Sequence, residues 1–234
     1  MNPERLARLK AALDRRQPDL TVVMDQVNKP HNLSAIIRSA DAVGVPEVHA
    51  VWPTALMRMA AAAAKGSHDW MAVTTHPDLP SCIAGLKARG MQVLATHLDD
   101  TAVDFRAIDY TRPTAILLGQ EKYGLPPESL ALADRRIVIP MHGMVQSLNV
   151  SVAAALILYE AQRQRVLAGC YEQPQLSAEM RSRLLFQGCH PQLYKRCRLK
   201  NLPLPLVADD GTIHADEQWW QVMRYADGYQ PAQA

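Results

Sequence analysis

With 234 residues, 48% of them hydrophobic, the chain has enough apolar material for one substantial α/β core plus appended elements. Its most apolar run, residues 150–159, is about half the length a spanning helix needs and contains Ser151, which excludes a transmembrane segment. The formal charge of +2 is uneven: residues 1–20 carry +2, 21–160 carry −2, 161–202 carry +6 and the remaining tail −4. A near-neutral body flanked by basic segments suits a polyanion-binding enzyme, although solvated helix faces explain any one segment equally well. Residues 1–20 mix five basic and three acidic side chains without a continuous apolar stretch, so no secretory signal and a cytoplasmic location are expected. Cys82, Cys170, Cys189 and Cys197 have no paired metal spacing; free thiols and no metal site are expected.

Leu6, Leu9 and Leu13 recur at helical spacing within residues 3–16, with Arg5, Arg8, Arg15 and Arg16 off that stripe, which predicts an amphipathic entry helix. A β-rich run follows at 20–27. Asn32 then stands where a helix N-cap belongs, ahead of Leu33, Ile36, Ile37, Ala40 and Val43, with Gly44 as the stop. Strand and helix alternate from there: strand 47–51, helix 54–64, strand 71–75, helix 80–89 and strand 91–96. A loop to Asp109, strand 114–118, a short helix from Pro127, strand 136–139 and a long helix 147–167 complete the series. Such alternation predicts an α/β fold with a mostly parallel sheet and helices on both faces. Past Gly169 the pattern weakens to a short helix at 177–186, a run NLPLPL whose prolines forbid helix, and the anchors Trp219 and Trp220, expected to dock back onto the body. The division expected is a basic helical extension at 1–19, a catalytic domain at 20–168 and an extension at 169–234.

A dinucleotide-type fold would place a glycine-rich turn after its first strand, but this chain has DQVNKPHN there, with no glycine. Gly119, Gly124 and Gly143 all follow later strands; serving ordinary turns is their plainer explanation. Three segments carry the polar residues of interest: NKPHNLSAIIRSADAVGV from Asn28, ILLGQEKYGLPPE from Ile116 and VQSLNVSVAA from Val145. Each lies at or beside a predicted strand end, so one crevice can collect all three. Ser147 and Asn149 set a hydroxyl and an amide beside the unpaired N–H groups of a starting helix, a local chemistry suited to a small polar ligand.

In order and spacing these segments resemble motifs 1, 2 and 3 of the SPOUT (SpoU–TrmH) RNA 2′-O-methyltransferases, over roughly residues 20 to 165. The block GMVQSLNVSVAAALILYEAQRQR is most similar to members acting on guanosine 18 of tRNA. The resemblance implies a sheet whose C-terminal part forms a deep trefoil knot, which chain topology otherwise avoids. It implies S-adenosyl-L-methionine (AdoMet) as methyl donor and a homodimer setting motif 1 of one subunit near the cofactor of the other. No membrane and no obligate protein partner are implied.

By the same resemblance Arg38, Asn32, Glu121, Ser147 and Asn149 are the catalytic set, and Thr96, Gly119, Ile139, Met141, Ser147 and Leu148 line the cofactor pocket. His142 is a lesser rim candidate. For tRNA, Arg5, Arg8, Arg16, His31, Arg163 and Arg165 match basic positions the family uses, and Tyr194 among Lys195, Arg196, Arg198 and Lys200 adds a candidate stacking surface. Each has a plainer explanation in view: an Arg38–Asp41 ion pair, an Asn32 helix cap, a Glu121 turn acid, and Arg163 and Arg165 at a helix C-terminus. The activity implied is methyl transfer to the 2′-hydroxyl of guanosine 18 in the tRNA D-loop. Ribosomal RNA, the tRNA anticodon loop, and a non-catalytic RNA-binding role are the alternatives. The short segment before the first strand and the basic C-terminal extension argue for the D-loop.

Overall fold

The computed structural model describes residues 2–52 and 71–224, which fall into two compact units: residues 16–173, and the N-terminal residues to 15 together with those from 174 onward. The expected helix at 54–64 lies outside the described residues.

In the larger unit, seven strands form one sheet in the order β3-β2-β1-β6-β4-β7-β5. They are β1 Leu20–Asp25, β2 Glu47–Val51, β3 Ala72–His76, β4 Gln92–Thr96, β5 Val103–Asp104, β6 Thr114–Leu118 and β7 Arg135–Val138. Every pairing in it is parallel. Alternation along each strand sorts side chains to two faces. Leu20, Val22 and Met24 of β1, Leu94 of β4, and Ile116 and Leu118 of β6 point into one cluster with helices α2 (Pro30–Ala42) and α5 (Val150–Leu167). Val23, Val93, Ala95, Ala115 and Leu117 point into the other, with α3 (Leu79–Ala88) and Leu130 of α4 (Pro127–Leu130). The expected two-faced α/β sheet is therefore present. The expected loop to Asp109 is more ordered than its sequence suggests: it holds β5 and a 3₁₀ turn, Phe105–Ala107.

Two helix starts differ from expectation for identifiable reasons. α2 begins at Pro30, where a fixed φ and a missing N–H suit the first turn, so Lys29 occupies the cap position and Asn32 lies inside the helix with its side chain free for other work. α5 begins at Val150, three residues late, because the Asn149 side chain accepts from the Ser151 N–H at 2.8 Å and fixes the cap there. Gly44 ends α2 as expected, at φ 87°.

The smaller unit contains α1 (Pro3–Asp14), α6 (Ala178–Cys189), α7 (Pro191–Leu199), the hairpin β8 (Leu206–Val207) with β9 (Ile213–His214), and α8 (Glu217–Arg224). Leu9 and Leu13 are the buried side of α1, and Asp14 pairs with Arg181 at 2.6 Å. Trp219 is buried within this unit. It joins Phe186, Cys197 and Met223 in a core of this unit's own, donating its indole N–H to Pro203 O at 3.1 Å, with Trp220 packed against that core.

Candidate active site

All strands of the sheet run in one direction, so their carboxyl ends share an edge, the place where open α/β sheets hold ligands. Beyond the ends of β4, β6 and β7 lies a cleft of about 540 Å³. Thr96, the last residue of β4, lines it with Gly119 and Ile139, just past β6 and β7, and with Met141, Ser147 and Leu148 from the segment leading into α5. Every expected cofactor-contacting residue is thus in one cavity, within the size range of small-ligand sites.

Glycine at 119 is a steric requirement. A Cβ there would stand 2.5 Å from the Gly124 carbonyl carbon and 2.7 Å from the Leu125 nitrogen, because residues 119–124 fold into a tight turn closed by backbone bonds between Gln120 and Gly124. Gly124 supplies the positive φ, 65°, that this turn needs. The turn is tied to β1 by Gln120, whose amide donates to Gln26 Oε1 at 2.8 Å; Gln26 itself holds a left-handed φ of 54°.

The three motif segments meet through side chains at the rim. Asn149 Nδ2 donates to Asn32 Oδ1 at 3.1 Å, and Asn32 Nδ2 donates to Glu121 Oε1 at 2.7 Å. Glu121 also accepts from the backbone N–H groups of Lys29 at 3.2 Å and Asn28 at 3.4 Å. Asn32 is fully buried in the middle of this relay. Burial raises the Glu121 pKa, but the Asn32 amide and the backbone donors outweigh it and hold the carboxyl below its ordinary range, ionised at neutral pH. Glu121 is therefore an anchor joining two segments, more than a turn acid. Ser147 is exposed on the cleft wall and makes no cap; Asn149 has that role.

Arg38 is exposed on α2 and does not line this chain's cleft. The Arg38–Asp41 ion pair is absent, since Asp41 Oδ1 accepts from Arg16 at 2.7 Å. His142 is exposed and outside the lining.

Two of the expected RNA-binding arginines are corrected. Arg165 is fully buried, giving hydrogen bonds to Asp19 Oδ1, Gln17 Oε1 and the carbonyls of Tyr110 and Arg112; the stripe Ala154, Ile157, Leu158, Ala161 and Arg165 carries it inward. Arg16 is buried too, donating to Val45 O at 2.9 Å as well as to Asp41. Neither offers a guanidinium to a phosphate. Arg5, Arg8 and His31 are exposed, and Arg163 is exposed but paired with Glu160 at 2.8 Å. Tyr194 is partly buried, edge-on to Phe186 at 5.9 Å, so it packs its unit's core while Lys195 and Arg198 face solvent.

Sequence reasoning passed over Lys29, His97, Gln120, Lys122 and Gln146, all of which line the cleft. Their one signal was position, in the segments that follow β1, β4 and β6 or lead into α5.

Comparison with known proteins agrees with this geometry. Residues 19–159 match the SpoU rRNA Methylase family and residues 163–216 match its C-terminal region, "SpoU, rRNA methylase, C-terminal". The chain is 61% identical over 228 residues to a tRNA (guanosine(18)-2′-O)-methyltransferase of Escherichia coli (strain K12), covering 97% of this chain and 100% of that one. Among solved structures, the A. aeolicus TrmH/SpoU tRNA modifying enzyme superposes with a TM-score of 0.74 at 42% identity, over 81% of this chain and 97% of that chain. An AdoMet-bound rRNA methyltransferase from Sinorhizobium meliloti does so with a TM-score of 0.56 at 33% identity, over 65% and 59% respectively. On the match across its sheet, its cleft and its C-terminal region, the chain belongs to the SpoU rRNA methylase family.

Proposed function

We propose that this chain transfers a methyl group from AdoMet to the ribose 2′-oxygen of guanosine 18 in the D-loop of tRNA. The observation that carries this reading is the relay Asn149–Asn32–Glu121, which gathers all three motif segments at the rim of one strand-end cleft. Near-complete coverage of a tRNA guanosine-18 enzyme by this chain favours the D-loop over ribosomal RNA or the anticodon loop.

The cleft suits the cofactor chemically. Its wall is backbone where Gly119 abuts Gly124, apolar at Ile139, Leu148 and Ile157, and polar at Thr96 and Ser147. Backbone groups of this kind read an adenine ring, and apolar side chains cover its faces. AdoMet supplies an electrophilic methyl on a sulfonium centre. The chain's own contribution is orientation and charge: the relay fixes the start of α5 against α2, and Ser147 offers a hydroxyl beside the reacting groups.

A guanidinium is a fixed charge and a planar donor, so the role proposed for Arg38 is to grip phosphate and stabilise the developing alkoxide. Since Arg38 does not line its own chain's cleft, the reading includes a homodimer in which α2 of each protomer serves the cleft of its partner. The apolar stripe Val152, Leu156, Tyr159 and Val166, exposed along α5, supports such a pairing. Arg5, Arg8, His31, Lys195 and Arg198 are the proposed phosphate contacts, with the C-terminal extension engaging tRNA. The trefoil knot and cytoplasmic residence complete the reading; among the described residues no helix is long and apolar enough to cross a membrane.

Mass-spectrometric mapping of ribose methylation, after incubating unmodified tRNA with protein and AdoMet, tests the substrate: methyl on guanosine 18 is expected, and methyl only elsewhere rejects it. A single-turnover pH–rate profile tests Arg38. An ionisation step abolished specifically by Arg38→Lys would overturn its assignment as a charge-stabilising group.

A further inference from the structure

On the α3 side of the sheet edge, away from the cleft, His49, His76 and Cys82 converge. One potential ligand atom from each lies within 4.8 Å of the others. Strand register explains the pair of histidines: His49 is opposite Thr74 and Val51 opposite His76, so the two imidazoles are diagonal neighbours on one face. The first turns of α3 lay Cys82 over them, beside the helix cap Asp78.

His49 and Cys82 are 5% and 2% exposed, and His76 is half-buried. A hydrogen bond between the rings, Nδ1 to Nε2 at 3.0 Å, accounts for the imidazoles touching. It does not account for the thiol, nor for His49 Nε2, which is buried without a hydrogen-bond partner among the described residues.

We propose that His49, His76 and Cys82 bind one zinc-class divalent cation, joining β2, β3 and α3, with solvent as the fourth ligand on the open side of His76. Two imidazoles and one thiolate are a donor set for zinc and its neighbours, not for magnesium or calcium. Bond lengths of about 2.0–2.3 Å to zinc separate ligand atoms by roughly 3.3–3.6 Å, which side-chain rotation reaches from the present spacing.

The surroundings agree. Burial keeps His49 down at about 4 and therefore neutral, the form that ligates. Burial first, then the charges of Asp78, Asp25 and Glu47, push the Cys82 thiol up to about 12, so it keeps its proton until a cation displaces it. Binding forms metal–nitrogen and metal–sulfur bonds and releases the Cys82 thiol proton to solvent.

Cobalt titrated into the chelator-treated full chain tests the site. One equivalent is expected to produce a near-ultraviolet thiolate-to-cobalt band that zinc abolishes. Cys82→Ser should remove the band and His76→Gln weaken binding more than about tenfold, since outer partners alone cost about 10–100-fold. Zinc should raise the Tm of the parent chain and leave that of Cys82→Ala unchanged. Absence of the band, or its survival in Cys82→Ser, overturns the proposal. So does a zinc-induced rise in the Tm of Cys82→Ala as large as that of the parent chain.

Discussion

The two ends of α5 are both fastened to the sheet by polar side chains, and they differ in what those side chains leave open. At its start, Asn149, Asn32 and Glu121 form a chain of hydrogen bonds at the rim of the cleft, and Ser147 beside them keeps an uncommitted hydroxyl. At its end, Arg165 is fully enclosed, with its donors spent on Asp19, Gln17, Tyr110 and Arg112. A polar cluster that consumes every donor holds the fold together; one that stops short of saturation at a cavity is equipped to act on a ligand.

The contrast breaks first at Arg165. Arg165→Ala strands a carboxylate and several buried carbonyls and should cost about 3–5 kcal/mol in denaturant unfolding, with activity falling only as the folded fraction does. Next is Gly119→Ala, whose new methyl must push residues 124 and 125 aside. Overpacking of that kind costs about 1–3 kcal/mol, and the loss should appear as AdoMet affinity weakened about tenfold or more, measured by calorimetric titration. Asn32→Ala leaves Glu121 and Asn149 each short of a partner; Glu121 is half-buried and Asn149 exposed, so water replaces part of the loss and stability should fall by only about 0.5–1.5 kcal/mol. Unlike Arg165→Ala, it should slow single-turnover methylation of fully folded protein.

The Glu121 carboxyl sharpens the comparison through pH. Its folded pKa is lowered from the ordinary 4.5, so its contribution is fully present above that value and fades only as pH falls through the lower folded one. Unfolding curves of parent and Glu121→Gln should therefore keep a constant separation at neutral pH and converge in acid. Arg163→Ala, removing an exposed guanidinium from its pair with Glu160, should leave the unfolding midpoint nearly unchanged; any larger effect belongs to tRNA affinity.

The sheet was legible in the sequence because its strands are short apolar runs bounded by turn residues, and β2 and β6 fall on the expected residues 47–51 and 114–118. Convergence of the three segments was legible through their common place at strand ends. The contacts within that convergence were not: whether Asn32 caps its helix or spans to Glu121 depends on α2 starting at Pro30, three residues earlier than expected. Arg165 was misread although its signal existed, since residue 165 continues the inward stripe of 154, 157, 158 and 161. Charge suggested a surface residue; periodicity placed it inside. The His49, His76 and Cys82 cluster had no local spacing at all, being assembled by strand register and helix packing.

Subunit complementation tests most directly whether the cleft and Arg38 form one active centre across two chains. Arg38→Ala and Gly119→Ala chains are co-expressed with different tags, and the mixed dimer is isolated and assayed at an AdoMet concentration near the parent's Kd, where each variant alone is weakly active. The mixed dimer should regain guanosine-18 methylation, because one of its two sites then has an intact cleft and an intact arginine. A mixed dimer no more active than either variant alone, with both chains folded, would contradict a centre shared across two chains.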